Sequence, residues 1–469
     1  MVPDYASMSV FFRPLPPLTL SPQDGIHVKN EVKGNRGYPP KEASMISRIH
    51  RIYIAGLIAA LMLSVFAKAE NGAQYADTER LRLDALIEQM LANNPDLQAA
   101  RKRWEAAQKR PGQERSLPDP AIGVGWAASG APYPGAGLGK EMSANVGVTI
   151  SQALPFPGKL GLRGSIAEQE ARAESFMFTE TERGLVARMK TAFYELQYIY
   201  EALDILVRNK SLLERLSRSA VIRYEAGEGI QQDLIKAQLE ITLLEVRVAE
   251  LERRKQGMSA EINALLNKEV SLPLARTEPP SDLPELPSLE SLQASAMQSA
   301  PAIRAQRSVI DGRKLSLELA RRESLPDFEV MGGYYNQGSM KDMWEFRLQM
   351  NLPIFFMNKR RLAVEEAAAM VGEAQKSYRA GEQAVSLRIR DMYLEAETAR
   401  KLMDLYADAV IPQAALALES SILNYGAGKL DFLSVLANFT AILENELNYA
   451  QRRAQYLQAR ARIEELAGL

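Results

Sequence analysis

An alternating run leads directly into a very long helical pattern near residue 160. Residues 150–175, ISQALPFPGKLGLRGSIAEQEARAES, end the alternation, pass two prolines and a glycine, and continue as a charged helical pattern. Between residues 165 and 224 there is no proline, and Gly184 is the only glycine. A helix of about 60 residues is roughly 90 Å long. Such an element is far longer than the helices of ordinary globular domains.

Residues 45–69 have the pattern of a secretory signal peptide. Basic residues follow Met45, a mostly apolar run covers 52–66, and Ala67-Lys68-Ala69 fits a cleavage site. A membrane anchor is the alternative, but the apolar run is short for a spanning helix. Residues 1–44 have no core-forming pattern, so we expect a disordered or non-native upstream segment, with translation starting at Met45.

Composition excludes several classes of function. The sequence has no cysteine, which excludes thiol catalysis and disulfides. Its only histidines are His27 and His50, which removal of the signal peptide would also remove, so a strong metal site is not expected. A net charge of -1 gives no basic field for nucleic acid. With no catalytic constellation in view, the sequence predicts neither an enzyme nor a bound cofactor.

The chain reads as two copies of one plan. We assign a first structural repeat to residues 70–270, a Pro-rich linker to 271–288 and a second repeat to 289–469. Four landmarks recur in the same order about 200 residues apart. They are NPDL and APAI, LPDP and LPDF, LPF and LPI, and YEAG and YGAG. Each repeat reads as helix, two strands, long helix, tight turn and long helix.

Four segments alternate between apolar and other residues as strands do. In residues 344–352, WEFRLQMNL, apolar side chains occupy every second position, and Glu345, Arg347, Gln349 and Asn351 fall on the opposite face. Similar runs occur near 122–126, 145–151 and 328–335. Nine or ten residues is the length of a tilted membrane strand.

The helices instead show a seven-residue apolar repeat. From residue 237 to 265, apolar residues recur at alternating spacings of three and four with Lys255 as the one break, and the helix after Leu433 shows much the same spacing. This pattern is typical of long helices that pack side by side.

Four strands are too few to close a barrel, and an open sheet edge is not stable in lipid. Several chains must therefore share one barrel. Two chains give about eight strands, whose interior is filled by side chains, and three give about twelve, enough for a wet lumen. Residues 345, 347, 349 and 351 would then line water. The strand-to-helix joins are predicted at Pro155, Pro157, Gly158 and Pro353, where strand pairing stops and a helix begins.

The chain resembles the TolC-like outer-membrane efflux family over about residues 80–466. The duplicated plan, the strand-to-helix joins and the turns YEAGEGIQQDL and YGAGKLDFL carry the resemblance, and the run QALPFPGKL is similar to the cation-efflux branch. The family implies a mainly α fold with a membrane β-barrel portion. Its trimer has a twelve-stranded barrel in the outer membrane and an α-helical barrel in the periplasm. It implies a periplasmic adaptor and an inner-membrane pump as partners.

The two turns would lie at the periplasmic tips. Glycines suit a tight turn because they accept positive φ. Asp233 and Asp431 suit helix capping, and the alternative is that tip residues gate the pore or contact the adaptor. The tip candidates are Tyr224, Gly227, Glu228, Asp233, Tyr425, Gly428, Lys429 and Asp431. The family often has an acid at the position of Ser434, so its absence does not favour an acidic ring at that level.

The sequence therefore predicts a passive outer-membrane channel of a tripartite efflux system that exports heavy-metal cations. Organic drugs or solvents are the alternative cargo. The rival class is a soluble periplasmic coiled-coil scaffold or adaptor, in which the four alternating segments would form an ordinary sheet.

Overall fold

A computed structural model describes residues 80–279, 283–352 and 356–468. The predicted upstream segment, the signal peptide and Pro353 lie outside the described residues. Ten α-helices and four strands make up the described chain, and two five-residue π-turns adjoin the helices of the second half.

The first half contains five helices and two strands. They are α1 (Leu83–Asn93), α2 (Pro95–Ala107), α3 (Arg110–Arg115), β1 (Ala121–Ala127), β2 (Asn145–Leu154), α4 (Lys159–Glu225) and α5 (Gln231–Leu265). Helix α4 has 67 residues without a break, which makes it about 100 Å long.

The second half repeats this order with more interruptions. It contains α6 (Leu289–Ser299), α7 (Pro301–Arg322), β3 (Asp327–Asn336), β4 (Met343–Asn351), a π-turn (Phe356–Arg360), α8 (Arg361–Leu405), a second π-turn (Tyr406–Val410), α9 (Ile411–Gly426) and α10 (Phe432–Ala467). Pro412 is at the start of α9. Because proline has no N–H to donate to a preceding carbonyl, it suits a position where regular helical bonding is interrupted.

The long helices lie side by side in one layer. Helix α4 packs against α5, α7 and α10, α7 packs against α8, and α10 in turn packs against α8 and α9. Apolar residues at the predicted seven-residue spacing fill the contacts: Ala237, Leu244, Ile262 and Leu265 of α5 are buried, as are Leu436, Leu443 and Ala450 of α10. The layer therefore ends in two lateral edges, α5 on one side and α8 with α9 on the other.

The four strands form one antiparallel sheet in the order β1-β2-β3-β4. Val148 pairs with Val124 of β1 and Tyr334 of β3, and Tyr334 pairs with Trp344 of β4. This register brings the apolar positions of all four strands to one face. Strands β1 and β4 each keep one edge without a partner within the described chain.

Candidate functional site

One face of the sheet is apolar and open. Ile122 and Val124 of β1 are 73% and 74% exposed, and Trp344 and Phe346 of β4 are 78% and 77% exposed. Val148 and Ile150 of β2 lie between them on the same face and are also exposed. An apolar surface this continuous marks a contact with lipid or with another protein. It does not fit the ordinary sheet that a soluble scaffold requires.

The opposite face is polar and ordered by side-chain contacts. Tyr335 lies over Gly147 and Gly333, where a Cβ atom would overlap its ring. The Tyr335 hydroxyl donates to Glu345 at 2.9 Å, and Arg347 pairs with the same carboxylate. Glycine at these two positions therefore leaves room for the aromatic ring of Tyr335.

The predicted strand-to-helix join is a close contact between the two halves of the chain. Gly158 precedes α4 with φ of 91°, and the Arg322 guanidinium occupies the place of a Cβ atom there. Only glycine satisfies both conditions. Pro155 and Pro157 lie between β2 and this glycine, so strand pairing ends where the sequence predicts.

A buried lysine that was not among the predicted site residues fixes this join. Lys159 is 1% exposed, and its Nζ donates to Leu325 O at 3.0 Å and to Asp327 Oδ1 at 2.8 Å. Glu323 lies 3.5 Å from the same ammonium. Asp327 also accepts from the Phe156 N–H at 2.7 Å. The only feature of the sequence that pointed to this contact was a charged residue beside each proline turn, Lys159 in PFPGK and Asp327 in LPDF.

Glu323 extends this ion-pair cluster to the neighbouring helices. Its carboxylate lies 3.2 Å from Arg163 of α4 and 3.5 Å from Arg360, which precedes α8. The shared carboxylates hold three cations from two elements, whereas a single exposed pair would contribute little. The cluster therefore sets how the helices leave the sheet.

The two hairpin tips have the same backbone. In the first, the N–H groups of 226, 227 and 228 donate to the carbonyls of 222, 224 and 223 at 2.9–3.0 Å. In the second, the N–H groups of 427, 428 and 429 donate to those of 423, 425 and 424 at 2.9–3.1 Å. Gly227 and Gly428 have φ of 76° and 71°. Positive φ at both positions explains the glycines of the predicted turns.

The side chains of the tips differ, and Arg223 joins them. Tyr224 is 44% exposed, whereas its counterpart Tyr425 is 5% exposed and packs on Phe432 at a centroid distance of 5.5 Å. The Arg223 guanidinium lies 4.8 Å from the Tyr425 ring centre and donates to the Tyr425 carbonyl. Arg223 was not among the predicted tip residues. The only feature of the sequence that pointed to it was its position directly before the turn YEAG.

The remaining charged tip candidates lie outside this buried contact. Glu228 is exposed and lies 3.9 Å from the mostly buried Arg223, and Lys429 is exposed. These two side chains are therefore accessible at the end of the helical layer.

Capping holds for one of the two predicted aspartates. Asp431 accepts from the Ser434 N–H at 3.0 Å and caps α10. The prediction is wrong for Asp233, because α5 begins at Gln231 with Ile230 at its N-cap, which leaves Asp233 inside the first turn. Burial raises the pKa of the Asp233 carboxyl, and nearby Asp431 adds to the effect. Hydrogen bonds from Ser434 lower the pKa of Asp431.

The described residues contain no group of three or more His, Cys, Asp or Glu side chains arranged to hold a metal ion.

None of the helices in the described part of the chain is both long enough and apolar enough to cross a bilayer.

Comparison with known proteins matches this chain to one family and to relatives of known description. The family described as "Outer membrane efflux protein" matches residues 86–268 and 292–469. The chain is 22% identical over 393 residues to the cobalt-zinc-cadmium resistance protein CzcC of Cupriavidus metallidurans. This alignment covers 83% of the chain and 90% of CzcC.

Two solved structures have the same fold. The outer-membrane protein VceC of Vibrio cholerae aligns with a TM-score of 0.70 at 17% identity, over 82% of this chain and 96% of VceC. CusC, whose structures concern folding and transmembrane channel formation, aligns with a TM-score of 0.67 at 16% identity, over 82% and 90% of the two chains.

Proposed function

The chain belongs to the outer membrane efflux protein family, and from that premise we propose that three copies close into one channel that exports cations. The family accounts for an outer-membrane location with an extension into the periplasm, and for transport rather than enzymatic activity. One observation carries the proposal: the sheet ends in two unpaired edges and has an open apolar face.

The two sheet edges belong to different strands. Edge β1 comes from the first half and edge β4 from the second half, so pairing between copies is head-to-tail. Head-to-tail contacts form rings when the rotation closes. Three copies give twelve strands and a wet lumen, with residues 345, 347, 349 and 351 facing the water.

The helical layer repeats this asymmetry. One edge has exposed Ile235, Leu239 and Leu243 along α5. The other has exposed Leu416 and Leu423, seven residues apart on α9. Leu416 and Leu423 have the seven-residue spacing of helices that pack side by side, and the α5 residues lie on one face at successive turns of their helix. An α5 edge of one copy meeting the α9 edge of the next covers both stripes and continues the ring below the membrane.

Cysteine pairs across the sheet edges test the ring. The sequence has no cysteine, so an introduced pair reacts alone. Val124→Cys, combined in turn with cysteine at 344, 346 or 348, should give covalent trimers on SDS gels. Val148→Cys with Tyr334→Cys, a paired position within one sheet, should give monomers with an internal bond. Monomers from every β1–β4 combination would contradict the ring.

The lipid face gives a second test. Phe346→Lys places a charge on the apolar face, where membrane strands tolerate it poorly, at a cost of roughly 2–4 kcal/mol near the bilayer midplane. Gln349→Lys puts the same side chain on the polar face of the same strand. We expect heat-resistant trimers from the second variant and their loss in the first. Equal behaviour would contradict the assignment of the faces.

The tips are the proposed gate and adaptor contact. Ile222 of the first hairpin is 66% exposed. This exposed apolar side chain, near the tips that carry Glu228 and Lys429, suits docking of a periplasmic adaptor, which connects the channel to an inner-membrane pump. Arg223 would hold the second hairpin against the first in the resting pore.

Conductance in planar bilayers tests the gate. Arg223→Met removes the contact with Tyr425 and should raise the conductance. Asn424→Ala changes the equivalent position of the second hairpin, whose side chain bonds only within its own helix, and should leave the conductance unchanged. Asp233→Ala should also change the conductance if the tip carboxylate gates. Unchanged conductance in Arg223→Met and Asp233→Ala would contradict a gate at the tips.

Cation cargo is proposed from the relative named for cobalt, zinc and cadmium resistance. Deleting the gene should lower the growth of the host on these metals, and restoring it should reverse the loss. Sensitivity to organic solvents instead of metals would assign the alternative cargo.

A further inference from the structure

We propose that Glu329 gives the barrel lumen a preference for cations. The proposal rests on the three-copy channel proposed above. It adds the residue that selects charge within the membrane part, away from the tips.

The polar face of the sheet carries four charged side chains. The register places Glu329 opposite Ala153 of β2 and Gln349 of β4. The other three are Asp327, Glu345 and Arg347. The remaining polar-face positions of the four strands are occupied by uncharged residues.

Three of these four charges are compensated. Lys159 lies 2.8 Å from Asp327 and neutralises it at the join. Arg347 pairs with Glu345, which also accepts from Tyr335. A paired charge contributes little to the field that an ion meets in the pore.

Glu329 has no such ion-pair partner. Within the described residues, no lysine or arginine nitrogen lies within 4.0 Å of its carboxylate, and no hydrogen bond to its side chain is formed. Its cross-strand neighbours, Ala153 and Gln349, are neutral. One negative charge per chain is therefore left on the polar face.

The position of Glu329 makes this charge effective. It is the third residue of β3, so about 7 Å of strand separates it from the helical join. Three copies place three carboxylates at one height, where solutes pass from the helical tube into the barrel. Walls of low dielectric focus such a field, and its range is about 8 Å at physiological salt.

Reversal potentials across a KCl gradient test this role. We expect the wild-type channel to pass potassium over chloride about threefold, as three partly screened charges imply. Glu329→Gln should bring the permeability ratio close to unity. Gln349→Glu adds a second acid beside the first and should raise the ratio. Glu141→Gln lies in the loop between β1 and β2 and should not change it.

The possible outcomes distinguish a failure of the Glu329 proposal from a failure of the channel proposal. A conducting, heat-stable Glu329→Gln trimer with unchanged selectivity would overturn the role of Glu329 and leave the channel intact. If Glu329→Gln does not form trimers, an unchanged ratio in Gln349→Glu would overturn the role. If neither the wild type nor Arg223→Met conducts, both proposals are overturned, because no pore exists.

Discussion

The two hairpin tips share a backbone and differ in what their side chains do. Equivalent N–H groups make equivalent bonds in both, and both turns depend on a glycine with positive φ. Yet Tyr224 is exposed where Tyr425 is buried, and Asp431 caps a helix where Asp233 does not. The turn geometry fixes the backbone, whereas the burial and bonding of each side chain depend on its own neighbours.

The same contrast holds at the other end of the molecule. Asp119 and Asp327 occupy equivalent places in LPDP and LPDF, but only Asp327 holds a buried lysine, and Asp119 is exposed. In both regions, a cation from the first half binds a partner in the second half. These contacts make the two halves distinct.

Tyrosine truncation should separate the tips most strongly. Tyr425→Ala empties a buried site against Phe432 and should cost about 3 kcal/mol of unfolding free energy. Tyr224→Ala should cost less than about 0.5 kcal/mol, because its side chain is exposed. Thermal unfolding of the purified protein in detergent measures both.

A hydroxyl deletion serves as the control. Tyr425→Phe removes a buried OH group that has no hydrogen-bond partner in the structure, so it should leave stability nearly unchanged. Equal losses from the two alanine variants would mean that the tips pack alike.

Removing the lysine of the join should have the next largest effect. Lys159→Met leaves Asp327 and Glu323 without their buried cation. Loss of one partner of a buried pair costs several kcal/mol, and the partial exposure of these carboxylates reduces this to about 2 kcal/mol. Unfolding by denaturant measures the loss.

Asp119→Asn is the matched change in the first half and should be nearly neutral. Because this aspartate is exposed, a loss comparable to that of Lys159→Met would show that the two joins are equally constrained.

The smallest effects should come from the two tip aspartates, with opposite signs. The folded state raises the pKa of Asp233, so its charge opposes folding at neutral pH and Asp233→Ala should stabilise the protein. The folded state lowers the pKa of Asp431, so the charge of this residue stabilises the protein at neutral pH. Asp431→Ala should therefore destabilise the protein.

Acid should remove both differences. The Asp233 contribution decreases as the pH falls from its raised folded pKa to the ordinary value of the unfolded state, and it vanishes below that value. The Asp431 contribution is lost only as the pH falls through its lowered folded pKa. Melting temperatures of the two variants and wild type, compared at neutral pH and well below the ordinary aspartate pKa of about 3.9, measure this. The same sign for both variants at neutral pH would contradict the difference between the tips.

The sequence was sufficient for elements whose signal is local. Seven-residue spacing predicted the packed faces of α5 and α10, and alternation predicted the four strands, because burial on one face repeats with the period of the element. Proline and glycine at 155, 157 and 158 marked the join, because proline ends strand pairing and glycine accepts positive φ.

Contacts between distant residues could not be read from local patterns. Lys159 meets Asp327 across 168 positions, and Arg223 meets Tyr425 across 202. Neither pairing leaves a periodic trace in the sequence. Asp233 was misread because α5 begins two residues before it, and helix ends depend on backbone geometry that composition does not specify.

The free edges of β1 and β4 have a consequence for biogenesis. A newly exported copy crosses an aqueous compartment with two rows of unpaired backbone groups and an exposed apolar face. Such strand edges pair with other strands without specificity. The leucine-lined sides of the helical layer can associate in water. We therefore expect copies to meet through their helices first, which brings the strands together before any of them enters the bilayer. An escort protein that covers the sheet would keep the early stages from aggregating.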